Sequence, residues 1–279
     1  MINPKLQAEL RERFNPDGSD LRIIQLRMLD MLKYIDKICR ENNIKYWLSS
    51  GTCLGAVRHG GFIPWDDDVD IEMLENDYIK FLKVVRNYPD KNYIIQDSNN
   101  ESFYRYPFCK LRDKGTIEEV SSNDRLHNLY KYKGCAIDIF PLIPSNSLAI
   151  SKFGFFLQKI ILKTTTSQNK ILRKLSFPLY DCFESLVFTI LRSVNRLNAN
   201  GQLRHKIPNP FYKARYYNDI FPLQMTVFED SIFPIPGHYS NYLHKIYGDY
   251  EKIPEADKIH THITKIKFIT SEKNGNSKK

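Results

Sequence analysis

Four aspartates stand within five positions of one another, Asp66, Asp67, Asp68 and Asp70, in surroundings that are otherwise apolar. Residues 69–73 continue the run by alternating apolar and acidic side chains, which is the period of a β-strand. Adjacent carboxylates repel one another, and each one resists leaving water for a half-buried strand. This stretch therefore constrains the fold more than any other, because its acidic face needs a positive charge beside it.

The face that these carboxylates share follows from strand geometry. Side chains at positions i and i+2 point the same way, so Asp68 and Asp70 are expected on one face, with Val69 turned into the core. A further acid, Asp138, lies between two isoleucines in another apolar segment and joins the pair if the two strands are neighbours. Carboxylates grouped in this way bind hard cations, typically Mg²⁺ together with substrate phosphates. For the run of aspartates alone, a solvated acidic turn is the alternative.

Small residues precede the acidic run. Residues 49–52, Ser-Ser-Gly-Thr, lie where a predicted strand over 45–49 gives way to a short helix over 52–59. Gly51 allows the backbone to approach a ligand closely, and the helix N-terminus offers unpaired N–H groups and the positive end of its dipole to a phosphate. The turn is therefore a candidate phosphate site, although small residues also punctuate ordinary turns.

Hydrophobic periodicity predicts a mixed α/β domain. Helices are predicted over 20–41, 52–59 and 77–87, and extended segments over 45–49, 69–73, 93–96, 107–112 and 136–140, with 116–120 as a further candidate. Helices and strands alternate at first and strands cluster later, which favours a mixed sheet flanked by helices that ends near residue 144.

The formal net charge of +9 comes from one part of the chain. Residues 151–215 carry twelve Lys or Arg against two acids, whereas the rest carries 29 basic and 30 acidic residues. We therefore predict a core (1–147), a basic and mainly helical insert (148–215), a C-terminal helical segment that completes the core (216–270) and a disordered tail (271–279). Five dispersed cysteines, no long apolar run and no apolar leader predict a reduced, cytoplasmic protein.

Three short segments together resemble a known signature. They are similar to the three-part motif of the polymerase β-like nucleotidyltransferase superfamily. In chain order they are Gly51-Thr52, 68–71 (Asp-Val-Asp-Ile) and 137–139 (Ile-Asp-Ile). More narrowly, the continuous run 54–70 resembles the hallmark of the LicD family, which includes phosphorylcholine transferases and fukutin-type enzymes. The resemblance covers about 21–144 and 227–262 and does not extend to the basic insert. It implies a nucleotidyltransferase-like catalytic core.

The resemblance also implies a transfer reaction. LicD-type enzymes move a phospho-alcohol group, such as phosphocholine, from a CDP-alcohol donor to a hydroxyl of a cell-surface glycan or its lipid-linked precursor, with release of CMP. On this basis Asp68, Asp70 and Asp138 are the predicted catalytic residues, and Mg²⁺ or Mn²⁺ is expected at Asp66, Asp68, Asp70 and Asp138. Asp138 is either a cation ligand or the general base.

The donor phosphates are expected near the short helix and one strand. Gly51 and Thr52 open that helix, Arg58 and His59 lie at its end, and Lys110 belongs to the extended segment 107–112. The alternative for Arg58 and His59 is a pair of cations that stabilise a helix C-terminus. The alternative for Lys110 is a solvated edge strand.

Two other classes of protein share part of this pattern. A nucleotidyltransferase that acts on a small-molecule acceptor uses the same acids but releases pyrophosphate. A nucleic-acid-binding module would explain only the basic insert and would bind in a strongly salt-dependent manner. No nucleic-acid partner is predicted.

The insert alternates basic residues with apolar runs such as 153–157 and 160–162. A basic amphipathic helix can lie on an anionic membrane surface, and glycan acceptors are often assembled on lipid carriers. This favours a peripheral membrane contact through the insert. The alternative is a helical subdomain that packs its apolar face on the core and shows Lys and Arg to water.

Overall fold

Two helices begin the chain, and the second packs on the main core. The computed structural model describes residues 2–120, 125–254 and 263–268. Helix α1 (Pro4–Phe14) is followed by α2 (Asp20–Glu41), which Ser19 caps by accepting a hydrogen bond from the backbone N–H of Arg22 (3.2 Å). The buried apolar residues of α2 recur at helical spacing: Ile24, Met28, Met31, Leu32 and Ile35.

A mixed sheet occupies the middle of the chain. Its elements and their connections are, in chain order, β1 (Trp47–Leu48), α3 (Ser50–His59), β2 (Asp70–Leu74), α4 (Glu75–Asn87), β3 (Tyr93–Gln96), β4 (Cys109–Asp113), β5 (Thr116–Val120), α5 (Arg125–Leu129) and β6 (Ala136–Pro144). The main sheet has the strand order β1-β2-β6-β4-β3. β2 and β6 are parallel, and the other neighbours in this order are antiparallel. The prediction of a mixed α/β fold is therefore confirmed.

The basic insert has a helical part and a sheet part. The helical part contains α6 (Leu148–Thr165), α7 (Lys170–Cys182), a π-helical stretch (Phe183–Phe188) and α8 (Thr189–Arg196). The sheet part contains β7 (Gln202–His205) and β8 (Arg215–Tyr216). β7 pairs with the last residues of β6, and β8 pairs with β7, so both strands extend the main sheet.

The C-terminal segment is less helical than predicted. It contains α9 (Tyr217–Ile220), a hairpin of β9 (Gln224–Phe228) and β10 (Ser231–Ile235), α10 (Tyr239–Tyr247) and β11 (Ile263–Phe268). The hairpin reverses direction at Glu229 and Asp230, and Glu229 has a positive φ of 58° there, as the first position of a tight hairpin turn requires. β11 pairs with β5 in a separate two-stranded sheet. The predicted disordered tail, 271–279, lies outside the described residues.

A hydrophobic core joins α2, α3, α4 and α10 around the main sheet. Its fully buried members include Trp47 of β1, Phe81 of α4, Ile137 of β6 and Leu243 of α10. The five cysteines are free thiols. No helix in the described ranges is both long and apolar enough to span a membrane.

Candidate active site

Asp70, Asp138 and Lys110 form a row across three neighbouring strands. Asp70 lies directly opposite Asp138 in the parallel pairing of β2 with β6, and Asp138 lies opposite Lys110 in the antiparallel pairing of β6 with β4. Opposite residues of paired strands point to the same face, so the side chains meet there. The Nζ of Lys110 lies 2.5 and 2.8 Å from the two carboxylate oxygens of Asp138. The two acidic strands are therefore neighbours, which is the condition under which the sequence analysis grouped Asp138 with Asp70, and the ammonium of Lys110 lies beside Asp138.

Asp68 precedes the strand and does not belong to it. β2 begins at Asp70, and residues 66–69 have no regular secondary structure. Val69 is fully buried, as predicted, and its carbonyl oxygen accepts a hydrogen bond from the backbone N–H of Asp138 (2.9 Å). Asp68 itself is exposed. Its placement within a strand was wrong because three adjacent aspartates would put like charges on both faces of a buried strand.

The carboxylates of this loop and strand repel one another. Burial raises the pKa of Asp70 well above its ordinary value, and the charges of Asp68, Asp138 and Asp66 raise it further. Burial also raises the pKa of Asp66, and the charges of Asp68 and Asp67 add to that effect. Negative charge is thus concentrated around Asp70, and a bound cation would relieve the repulsion.

The chemistry of these groups fits a divalent cation. Asp66, Asp68 and Asp70 offer the hard carboxylate oxygens that Mg²⁺ and Mn²⁺ prefer. Asp138 is held by Lys110 and could join them only if that ion pair opens. Within the described residues, no group of three or more His, Cys, Asp or Glu side chains is already arranged as a metal site. A cation would therefore have to draw the carboxylates together.

The first turn of α3 supports the acidic loop. The Oγ1 of Thr52 accepts a hydrogen bond from the backbone N–H of Asp70 (2.8 Å), which ties α3 to the start of β2. A Cβ at Gly51 would lie 3.0 Å from Oδ2 of Asp66, so the missing side chain leaves room for that carboxylate. Gln25 of α2 donates a hydrogen bond to the backbone carbonyl of Asp66 (2.9 Å). Gly51 and Thr52 thus lie beside the acids, and their contact with donor phosphates stays a prediction.

Arg58 and His59 lie in the last turn of α3 and bind protein groups. Nη1 of Arg58 donates to the carbonyl oxygens of Tyr250 (2.8 Å) and Lys252 (3.2 Å). Nε of Arg58 donates to Nε2 of His59 (2.9 Å), whose Nδ1 is 2.6 Å from Oε1 of Gln7. Burial, and after it the charge of Arg58, lowers the pKa of His59 to about 3. These contacts hold α1 and the segment after α10 against α3, and the predicted role in donor binding stays a prediction.

Glu72 of β2 is the centre of a buried network that the sequence did not predict. The Nε1 of Trp47 and the hydroxyl of Tyr242 each donate to its Oε2 (both 3.0 Å). Its Oε1 lies 2.8 Å from Nε2 of His205 and accepts a hydrogen bond from Nε of Arg215 (3.1 Å). Burial opposes ionisation of Glu72, but Arg215 and His205 outweigh it and lower its pKa to about 2. The network joins β1, β2, the insert and α10.

A cavity of about 430 Å³ opens beside Asp70. Arg215 and Lys213 line it with positive charge, and Nη2 of Arg215 lies 3.4 Å from Oγ of Ser50 on the same wall. Most of the other lining residues are aromatic: Phe140, His205, Phe211, Tyr212 and Tyr247. A larger cavity of about 800 Å³ lies between α3 and the β9–β10 hairpin, but none of the aspartates lines it. The smaller cavity is therefore the better candidate for a substrate site.

Sequence reasoning missed Glu72 and several residues that line this cavity. Glu72 carried a signal, because it continues the acidic alternation that begins at Asp70. Arg215 carried no such signal in the sequence, since 143 positions separate it from Glu72. Only the pairing of β7 and β8 with the sheet brings the two residues together. Tyr247 belongs to α10 and lies close enough to Asp70 for that charge to raise its pKa, after the larger effect of burial.

The fold and the site together define a class of protein. A mixed sheet presents two opposed aspartates with a lysine beside them, and one of the two, Asp70, lines a cavity together with basic and aromatic side chains. Such a site suits an enzyme that acts on a phosphorylated substrate, because acids can hold a cation and basic groups can hold phosphate.

The chain belongs to the family described as LicD/FKTN/FKRP, nucleotidyltransferase domain. The family profile matches residues 43–182, which is half of the chain. The match includes α6 and α7, so the prediction that the resemblance excludes the insert was wrong for its first part.

Three relatives show how far the similarity extends. The chain is 27% identical to the lipopolysaccharide cholinephosphotransferase LicD of Haemophilus influenzae over 257 residues, 87% of this chain and 96% of that protein. It is 42% identical to an uncharacterized protein of Rickettsia typhi over 137 residues, 44% of each chain. It is 33% identical to the mouse ribitol-5-phosphate transferase FKTN over 72 residues, 26% of this chain and 16% of that protein. The chain thus spans nearly all of the first relative and less than half of the other two.

Proposed function

We propose that this protein transfers a phospho-alcohol group from a CDP-alcohol donor to a hydroxyl of a glycan or lipid-linked glycan, with release of CMP. The protein is a phosphotransferase of the LicD family. The observation that carries the proposal is the position of Asp70, which lies opposite Asp138 and lines the 430 Å³ cavity. The identity of the donor, the requirement for a divalent cation and the release of CMP as the leaving group all belong to the proposal.

The residues at the site have separate tasks in this reaction. Phosphoryl transfer needs positioning and charge compensation more than covalent help from the protein. Asp66, Asp68 and Asp70 would hold Mg²⁺ or Mn²⁺, which supplies positive charge to the donor diphosphate. Arg215 and Lys213 face the same cavity and compensate further negative charge.

We assign to Asp138 the proton transfer in this reaction. The acceptor oxygen forms a bond to the transferred phosphorus, the bond between that phosphorus and the oxygen of CMP breaks, and the acceptor hydroxyl loses its proton. The carboxylate of Asp138 can take that proton, while the ion pair with Lys110 holds the carboxylate in place. A role of Asp138 as cation ligand remains the alternative, because both roles need the same position.

The cavity also suits the alcohol that is transferred. Phe140, Phe211, Tyr212 and Tyr247 give it aromatic walls, which attract apolar groups and cationic groups such as choline. The relatives named above transfer cholinephosphate and ribitol 5-phosphate, so members of the family differ in the alcohol. We propose a phosphocholine-like group because the faces of these aromatic side chains can hold a quaternary ammonium.

The test is a donor panel with the purified protein. CDP-choline, CDP-ethanolamine and a CDP-polyol are each incubated with Mg²⁺ and a glycan acceptor, and CMP is measured. We expect CMP from one donor at least, and its loss in Asp68→Asn and Asp70→Asn. The control is Asp17→Asn, which changes an aspartate whose side chain is 92% exposed.

Two outcomes would overturn the proposal. Pyrophosphate released from CTP, without CMP from any CDP-alcohol, would identify a nucleotidyltransferase instead. Full activity of Asp70→Asn would show that the row of Asp70, Asp138 and Lys110 does not take part in the reaction. Circular dichroism of each variant separates a lost reaction from a lost fold.

A further inference from the structure

The helical part of the insert, residues 148–197, turns apolar side chains outwards. Of the 23 large apolar residues that are exposed in the described part of the chain, twelve lie in this segment. They are Leu148, Phe153, Phe156, Ile160, Ile171, Leu172, Leu175, Leu179, Leu186, Ile190, Val194 and Leu197. Scattered apolar residues are normal on a protein surface, but such a concentration marks an interaction site.

Helix α6 is inverted relative to an ordinary surface helix. Its buried face carries mostly small and polar residues: Ser151, Gly154, Gln158, Ile161 and Thr165. Gly154 packs so closely on Ile207 that a Cβ would lie 2.3 Å from the Cγ2 of that residue. The opposite face exposes Phe153, Phe156 and Ile160, each at least 50% accessible. Helical spacing places these three side chains in one stripe.

Helices α7 and α8 repeat this arrangement. α8 buries Arg192 and Asn195 and exposes Ile190 and Val194. Arg192 donates a hydrogen bond to the carbonyl of Ile207 (2.6 Å), so the polar face of α8 packs on the segment of the insert that follows β7. α7 buries Ser176 and Tyr180 and exposes Ile171, which is 70% accessible, together with Leu175 and Leu179. Both helices pack against α6.

We propose that these outward faces dock on an anionic lipid membrane. We define the insert face as Phe153, Phe156 and Ile160 of α6, Ile171, Leu175 and Leu179 of α7, and Ile190 and Val194 of α8. The inference is independent of the transfer reaction, since none of these residues lines the cavity beside Asp70.

The charges around the insert face are complementary to anionic lipid. Lys152, Lys159 and Lys163 are exposed on α6, next to its apolar stripe, and Lys170 and Lys174 are exposed on α7. Residues 148–197 contain only two acids, and one of them, Glu184, is paired with Arg192. Lysine can insert its aliphatic stem among apolar groups while its ammonium reaches the head groups.

This combination favours a membrane over a protein partner. Helices that lie in a membrane interface carry Phe and Leu on one face and Lys beside them, as α6 and α7 do. Interfaces between proteins are instead depleted in lysine. The helices are too short or too polar to cross the membrane, so the insert face would lie on the surface.

The test is vesicle flotation of the full-length protein. Vesicles of phosphatidylcholine alone are compared with vesicles that also contain phosphatidylglycerol. We expect binding to the anionic vesicles, and a loss of about tenfold or more in the variant Phe153→Gln/Phe156→Gln/Ile160→Gln. The variant Lys152→Gln/Lys159→Gln/Lys163→Gln should lose the preference for anionic lipid. These substitutions are on exposed positions, so the fold should persist, which circular dichroism checks.

The matched control changes three exposed apolar residues outside the insert. In Leu26→Gln/Ile79→Gln/Tyr88→Gln the altered side chains are 44%, 57% and 77% accessible, and vesicle binding should stay as in the unchanged protein. Equal loss in this control would overturn the proposal. The absence of binding to either kind of vesicle would also overturn it. So would a dimer, seen by light scattering, that dissociates in the α6 variant while vesicle binding stays unchanged.

Discussion

At the scale of single residues, Glu72 connects the site to the rest of the fold. Its carboxylate accepts hydrogen bonds from Trp47, Tyr242 and Arg215, and all of these groups are buried. Removing one partner of a buried ion pair leaves the other charge without compensation. Glu72 therefore holds Arg215 at the wall of the cavity and stabilises the attachment of β8 to the sheet.

We predict that Glu72→Gln lowers the free energy of unfolding by about 3–5 kcal/mol, because the guanidinium of Arg215 loses its buried counter-charge. Urea denaturation measures the change. The control is Glu75→Gln, whose carboxylate is more accessible and pairs with Arg196 and Lys206. That change should lower the free energy by about 1 kcal/mol or less. Similar losses in the two variants would contradict the role of Glu72.

His59 predicts a pH dependence of stability. Its pKa is lowered from 6.5 to about 3 in the folded protein. Between those values the unfolded chain binds a proton that the folded protein does not, so the free energy of unfolding falls as the pH falls. The contribution is at most about 1.4 kcal/mol per pH unit.

We expect His59→Gln to remove this contribution. The stability of the unchanged protein, minus that of the variant, should decrease as the pH is lowered from 6.5 to about 3. Denaturation curves at several pH values measure this difference, from which the titration of the carboxylates cancels because both proteins contain them. A constant difference would show that His59 is protonated equally in both states.

At the scale of elements, α3 carries two glycines with different tasks. A Cβ at Gly51 would meet the end of a side chain, Oδ2 of Asp66, at 3.0 Å. A Cβ at Gly55 would meet the backbone oxygen of Gly61 at 2.5 Å. A side chain can move aside, whereas the backbone at Gly61 cannot do so without disturbing the end of α3.

The two glycines give a matched pair of variants. Gly51→Ala should keep or raise stability by up to about 1 kcal/mol, because alanine favours a helix, and should reduce transfer by displacing Asp66. Gly55→Ala should cost about 1–3 kcal/mol of stability through the backbone clash. Thermal unfolding and the CMP assay measure the two effects. A stable, fully active Gly51→Ala variant would show that the position of Asp66 is unimportant.

At the scale of the whole molecule, the concentration of carboxylates predicts that a cation stabilises the fold. A ligand that binds only the native state adds about 2.7 kcal/mol when its concentration is a hundred times its dissociation constant. We expect Mg²⁺ or Mn²⁺ to raise the midpoint of thermal unfolding of the unchanged protein and of Asp17→Asn. We expect no such rise in Asp70→Asn. An equal rise in Asp70→Asn would place the cation elsewhere.

Much of the site could be predicted because its parts have local signals. The alternation over 69–73 and the isolated Asp138 between isoleucines each indicate a strand with an acidic face. The register then places Asp70 opposite Asp138, as expected if the strands are neighbours. The start of β2 was less predictable, since the repulsion among Asp66, Asp67 and Asp68 competes with strand periodicity there.

The sequence by itself determined the acidic strands, the mixed α/β class and the separation of the basic charge, because each depends on residues that are close along the chain. Only the tertiary structure decided that β7 and β8 join the sheet, that Arg215 reaches Glu72, and that α6 buries a face of mostly small and polar residues. An amphipathic pattern shows that a helix has two faces. Which face is buried depends on the surface that it meets, and that surface comes from distant parts of the chain.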